Sequence, residues 1–305
     1  MIKKIAFLVS WLIFFVYISA SDYQLISQTL GVSAEHISLG SGMFITGSNS
    51  MFSNDAYISN YNQTIDIFAT QLMPDHTIII GSVSYKLPTK TRISAGSSIS
   101  VNTGFDITTQ SGIDNEHIPT GETYNMSKYH YKVSVSQSVF QHMYLGSGIN
   151  IIHQKSPAKG TGYSMDFGFK YFINTTGLLG IAVRNILSKD VNYANSRETL
   201  PSIIELGLYQ PIYKNIIFSP SIIAIQSDQE YDVNYLYSLP IIINPIETLR
   251  LMGSVSKKYA GLKTKTYFNF GTQLTLDGLS ISYAYRKTDY TDARNQHFIS
   301  LQINI

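Results

Sequence analysis

The chain has 305 residues, with 22 basic and 20 acidic side chains for a net charge of +2, and it contains no cysteine. A disulfide framework, a thiolate metal site and a lipid anchor through cysteine are therefore excluded, and the balanced charge implies no nucleic-acid partner. Charged residues make up only 14% of the chain, against about 25% in soluble proteins, so much of its surface must face something other than water.

Lys3 and Lys4 precede the apolar run IAFLVSWLIFFVYI (residues 5–18) and the small residues Ser19, Ala20 and Ser21. This is the order of a secretory signal peptide, because the run is short of the roughly 20 residues a spanning helix needs. A signal peptide over 1–21 is expected, and its removal takes Lys3 and Lys4 away and leaves the charges balanced.

Residues 22–63 are a separate segment of small, polar and glycine-containing patches, such as AEHISLGSGMFITGSNSMFSNDAYISNYN. A short helix fits near Ser33 to His36. The segment suits an N-terminal plug inside a barrel or an arm outside it.

From residue 64 to 305 the chain becomes rhythmic, with fourteen strand candidates. In YHYKVSVSQSV, Tyr129, Tyr131, Val133, Val135 and Val139 share one face, while His130, Lys132, Ser134, Ser136 and Ser138 share the other. In YSMDFGFKY the faces are Met165, Phe167, Phe169 and Tyr171 against Ser164, Asp166, Gly168 and Lys170. In the terminal HFISLQINI, Ile299, Leu301, Ile303 and Ile305 form an apolar face that nothing later in the sequence covers. The polar faces hold mostly Ser, Gly, Asn and Gln, which suits a moist lumen better than an exposed soluble surface, and lipid would cover the apolar side. The expected fold is all-β: a 14-stranded antiparallel transmembrane β-barrel with an N-terminal plug or arm, preceded by a signal peptide.

The connections support this reading. The odd-numbered ones, led by 103–128 and 186–202, are longer as a set than the even-numbered ones, 87–91, 141–144, 173–178, 211–215, 239–248 and 277–278. Outer-membrane barrels alternate short periplasmic turns with longer external loops. Asp277-Gly278, between two alternating runs, is the pair preferred by a two-residue type I′ hairpin.

No enzymatic chemistry stands out. The histidines His36, His76, His117, His130, His142, His153 and His297 lack metal-ligand spacing. The GSG triplets at 40–42 and 146–148 lack the lysine and strand context of a phosphate loop, and read as small residues that ease packing. No catalytic residue, metal or cofactor is expected. Alternation turns seven charged side chains inward: Lys132, Asp166, Lys170, Arg184, Glu205, Arg250 and Arg286. They read either as a network tying plug to wall or as a polar end for an amphipathic ligand.

Gly180, Ala182, Val183 and Asn185, then Leu200 and Pro201, then Tyr283, Ala284, Tyr285, His297, Ile299, Ser300 and Leu301 together resemble the PorV/PorQ group of FadL-like outer-membrane barrels. The segments that carry the likeness are FGFKYF with TGLLGIAVRNIL, LPSIIELGL and the final hairpin from Phe270. The N-terminal part keeps Asp55, Ala56 and Asn60 of the group's pattern but has Tyr61 and Asn62 where Pro and Ala are usual. The resemblance implies a fourteen-stranded bacterial outer-membrane barrel with its N-terminal segment in the lumen. It also implies carriage of a hydrophobic or amphipathic ligand or, alternatively, a shuttle or scaffold role beside export-system proteins. The expected partners are the bilayer, the outer-membrane assembly machinery and such a ligand or export protein.

Overall fold

A computed structural model describes residues 30–41, 43–56, 61–73, 75–110, 117–155, 159–192, 197–226, 233–260, 263–287 and 295–305. The expected signal peptide lies outside them. The alternating runs form β1 (Gln63–Met73), β2 (His76–Lys86), β3 (Thr91–Gln110), β4 (His117–Phe140), β5 (Met143–Lys155), β6 (Lys159–Phe172) and β7 (Leu178–Asn192). The second half is β8 (Ile203–Tyr213), β9 (Ile216–Phe218 and Ser221–Gln226), β10 (Val233–Ile246), β11 (Leu249–Ala260), β12 (Lys263–Leu276), β13 (Leu279–Lys287) and β14 (Gln296–Asn304).

Each strand pairs antiparallel with the next, and β14 returns to β1 with Ile67 opposite Leu301, closing a fourteen-stranded barrel. Gln63 and Ile305 exchange backbone hydrogen bonds at the seam, both 2.9 Å. Closure removes the unpaired edge that a spanning sheet could not leave in lipid. The two pieces of β9 hold one register against β10, and against β8 they share one register apart from a shift between Ile216 and Ile217. The ladder lapses only where Pro220 meets the Pro240 stretch of β10, neither proline having an N–H to donate. Their carbonyls stay paired, accepting from Leu208 and Ser219.

Alternation sorts the two faces. Val133, Val135, Ile149, Ile151, Ile241, Ile243, Val255 and Ile281 point outward and exposed, whereas Ser82, Ser134, Ser136, Ser256 and Asn269 are buried inward. A continuous apolar exterior of this extent is what a bilayer covers.

Three segments depart from the sequence reading. Residues 103–110 and 117–128, expected as loop, continue β3 and β4 as a paired ribbon with irregular steps near Asn102/Phe105 and Asp106/Thr108. A ladder needs only backbone donors and acceptors, so residues 120–128, exposed or half-buried on both faces, carry no alternating signal. Residues 239–246, expected as a turn, complete β10, leaving only Glu247-Thr248 as the connection. Their run of Ile is apolar on both faces because Ile241 and Ile243 point outward while Ile242 packs inside the barrel.

The third departure is 186–202. Beyond Val183, β7 slips register against β6 three times, with Asn185 and Leu187 at φ of 58° and 49°. Asn185 fixes the distortion: its backbone N–H donates to Asp166 Oδ1 (2.8 Å), its Nδ2 donates to the Pro201 carbonyl (2.7 Å), and its Oδ1 accepts from Ser164 Oγ (2.9 Å). Val191 and Leu200 thereby reach inward to pack on Ile152.

Residues 30–56 lie against the inner wall. Ser33 caps the short helix α1 (Ala34–Ser38) by accepting from the His36 N–H at 3.0 Å, and a 3-10 turn spans Ser48–Phe52. Val32, Ile37, Leu39, Met51 and Phe52 of this segment form one buried cluster with Phe68, Ile78, Ile80, Ile242, Met252 and Phe298 of the wall.

Candidate functional site

The lumen is shaped by small wall residues that admit the N-terminal segment. A Cβ on Gly146 would sit 2.1 Å from the Asp55 carbonyl carbon, and one on Gly168 would meet the Ala56 nitrogen at 2.5 Å. On the adjacent β7 a Cβ on Gly180 would strike Met43, and across the barrel one on Gly271 would strike Ser38. Wall hydroxyls complete the seat: Ser300 accepts from the Ala34 N–H (2.6 Å), and Ser238 donates to the Leu39 carbonyl (2.8 Å). The segment thus touches the inner wall around most of the barrel.

Ion pairs set its register. Lys132 bridges Asp55 of the plug (3.1 Å) and Asp166 of β6 (2.5 Å), with all three side chains at most 1% exposed. Arg184 pairs with Glu205 of β8 at 3.0 Å and donates to the Phe52 carbonyl of the plug at 3.2 Å. Arg250 pairs with Glu35 of α1 at 2.6 Å. The other oxygen of Glu35 accepts from the Thr46 N–H and hydroxyl.

Two inward cations are held differently. Lys170 forms no ion pair among the described residues, and its Nζ lies 5.7 Å from the Phe44 ring centroid. Arg286 donates to Asn269 Oδ1 (2.8 Å) and lies over the Tyr267 and Phe298 rings. Of the seven charges named from the sequence, Lys132, Asp166, Arg184, Glu205 and Arg250 form ion pairs, with Asp55 and Glu35 of the N-terminal segment among their partners.

Sequence reasoning did not single out those two acids as partners. A signal was present: Glu35 and Asp55 are the only charged residues between 30 and 62, and acids carried into a lumen rich in Lys and Arg must pair.

Along the barrel axis the lining changes. Toward the end bearing the longer loops it holds two apolar clusters, Ile203, Ile223, Ile225 and Leu236 in one and Ile152, Val191 and Leu200 in the other, beside the buried polar Thr70, Ser100, Gln154 and Asp190. Toward the short-turn end it is polar, with Thr64, Asp66, Ser84, Ser94 and Ser136 buried. A cavity of about 470 Å³ opens at that end, lined by Lys214, Asn215, Glu247, Arg250 and Gln273 among others. Among the described residues no group of His, Asp or Glu could hold a metal ion.

No protein-family profile matches the chain, and no curated protein matches its sequence. Solved structures do match its fold. The Pseudomonas putida toluene transporter TodX superposes with a TM-score of 0.62 at 14% identity, over 93% of this chain and 98% of that one. The CymD monoaromatic hydrocarbon channel gives 0.65 at 10% identity, over 91% and 98%. A Pseudomonas aeruginosa FadL homologue gives 0.56 at 10% identity, over 94% and 98%. At these identities the likeness is one of fold.

Proposed function

We propose that this chain is a non-enzymatic bacterial outer-membrane barrel of FadL-like type that carries a hydrophobic or amphipathic solute through a plugged lumen. The carrying observation is the pair of apolar clusters inside the long-loop end, Ile203, Ile223, Ile225 and Leu236 in one and Ile152, Val191 and Leu200 in the other, in a lumen whose N-terminal segment is held by buried ion pairs. An aqueous pore would line its mouth with hydrated groups, whereas an apolar solute gains by leaving water for such a wall. The fold neighbours named as toluene and monoaromatic hydrocarbon channels support the same direction. On this reading residues 1–21 are the exported leader, 22–63 the plug and 64–305 the barrel, with the short turns facing the periplasm. Lys132, Asp166, Arg184, Glu205 and Arg250 hold the plug, while Lys170 and Arg286 remain in the lumen wall. The bilayer and the outer-membrane assembly machinery are its partners.

The resemblance to the PorV/PorQ group at Gly180–Asn185 and Tyr283–Leu301 also fits an export scaffold that conducts nothing; the apolar lining favours carriage. The test is uptake of toluene into liposomes containing the purified barrel, whose folding is checked by a heat-modifiable band on a detergent gel. Uptake above protein-free liposomes is expected. Uptake equal to the blank, with the band shift present, would leave the scaffold as the better account.

A further inference from the structure

The exterior of the barrel is apolar over most of its height, but its long-loop end carries a cluster of cations on one side. Lys155 at the end of β5, Lys159 at the start of β6 and Lys189 of β7 are all exposed. Lys155 and Lys159 stand directly opposite each other across the β5–β6 ladder, and Lys189 stands opposite the outward Tyr163. Among the described residues none of the three forms an ion pair. The acids of these strands, Asp166 and Asp190, are buried. Like charges set face to face in a sheet repel, so an anion from outside the chain would relieve this pair.

We propose that this face binds a phosphorylated glycolipid of the outer leaflet, with its phosphates on the lysines and its acyl chains on the apolar wall below. The inference rests on the outer-membrane reading above, with the long loops outside. Lys155 lies four residues beyond the outward Ile151, about 13 Å along the strand, where a spanning strand leaves hydrocarbon for headgroups. Ile149, Ile151 and Phe167, exposed outward beneath it, are the wall for the chains.

Spacing selects the headgroup. Lys159 and Tyr163, beside which Lys189 stands, are four residues apart on β6, again about 13 Å. One phosphate cannot touch both positions, whereas phosphates at the two ends of a disaccharide can. The surface between the cations is also suited to sugar: His153 Nδ1 and Thr161 Oγ1 are hydrogen-bonded at 3.0 Å, and the Tyr129 ring lies 6.3 Å from that of His153. Lys257 of β11, also exposed, is different. Its Nζ lies 5.0 Å from the Tyr259 ring centroid, so it is already engaged, and it serves as an internal control.

The test is equilibrium binding of lipid A, an acylated disaccharide with two phosphates, to the detergent-solubilised full chain, with dephosphorylated lipid A, phosphatidylglycerol and inorganic phosphate as comparison probes. Each chain is first checked for the heat-modifiable band and for insertion into liposomes. Lipid A should bind about tenfold or more tighter than the other three probes. Lys155→Gln combined with Lys159→Gln should weaken lipid A about tenfold or more, and Lys189→Gln several-fold. Lys155→Arg combined with Lys159→Arg should retain binding, and Lys257→Gln should leave it unchanged. Lipid A binding that ignores the glutamine substitutions overturns the site. Phosphatidylglycerol binding as tightly as lipid A does so too, by reducing the face to a general affinity for anionic lipid, and inorganic phosphate binding as tightly replaces the lipid with a free anion. Each of these results leaves the outer-membrane barrel standing. A parent chain that neither shows the band shift nor inserts into liposomes removes the outer-membrane reading and the site with it.

Discussion

Lys132 shows what single residues do in this lumen. It is the shared counter-ion of Asp55 and Asp166, and all three are shut off from water. A buried pair contributes little net stability against an apolar substitute, but removing one partner strands the other. Lys132→Met should therefore destabilise the docked plug by about 3–5 kcal/mol, read as earlier plug release in a urea titration. Adding Asp55→Asn and Asp166→Asn to the same chain should recover much of the loss, because no uncompensated charge then remains. His36 supplies a pH dependence. Its Nδ1 accepts from the Val32 N–H at 3.1 Å, so docking requires the neutral ring. Burial, reinforced by Arg184 and then Arg286, pushes its pKa down to about 3. The undocked plug therefore binds the proton and the docked one refuses it: this contribution is fully present above about pH 6.5 and is lost as pH falls from there toward about 3, by roughly 1.4 kcal/mol per pH unit. Compared with His36→Gln, the parent should lose docking stability on acidification from pH 7.5 to 4.5; Asp55, whose pKa burial raises, contributes oppositely but equally in both, so the difference between the two chains isolates His36. The inward direction of Lys132, Asp166 and Arg184 is legible in the sequence from alternation alone. Their partners are less so, because Asp55 meets Lys132 across a sequence separation of 77 that only the folded barrel closes.

At the scale of elements, the plug and wall are fitted through glycine. Gly146 and Gly168 sit at inward positions of β5 and β6 where strand propensity favours larger residues, and the backbone of Asn54–Ala56 occupies the space their side chains would take. Gly146→Val should leave the barrel intact, since Val suits a strand, while forcing the plug out. The chain has no cysteine, so Ser53→Cys, at a position 1% exposed, provides a clean reporter: maleimide should label it slowly in the parent and rapidly beside Gly146→Val. Equal labelling rates would mean the plug does not need that glycine. The strands themselves were the most readable elements, because a half-buried pleat writes its period of two into the sequence, as β5 and β6 show. Where a segment meets similar surroundings on both sides the period vanishes. Residues 120–128 are exposed or half-buried on both faces, and Ile241–Ile243 is apolar on both, so one read as a loop and the other as a turn. Asn185 carried a different mark. It tolerates the left-handed backbone, and here it turns β7 so that Val191 and Leu200 close over Ile152.

At the scale of the whole molecule, the chain inverts the usual division of a soluble protein, placing charges and hydroxyls inside and aliphatic residues outside. The inversion is stable only if lipid covers the exterior, and it predicts a cost profile that depends on depth. Ile149 points outward at 55% exposure and lies at the centre of the thirteen-residue β5, six residues from either end, or about 20 Å along the strand. Ile246 also points outward, at 60% exposure, but sits at the end of β10 beside the Glu247-Thr248 turn. Exposure is nearly equal, so a protein bathed in water would tolerate arginine at both sites alike. In a bilayer, Ile149→Arg should cost about 2–4 kcal/mol and Ile246→Arg about 0–1 kcal/mol, because an arginine near the rim reaches the headgroups. Reversible folding into liposomes of defined thickness separates the two cases. A graded penalty along β5 and β10 would map the apolar band onto the barrel, and a flat one would mean that another protein surface covers those residues.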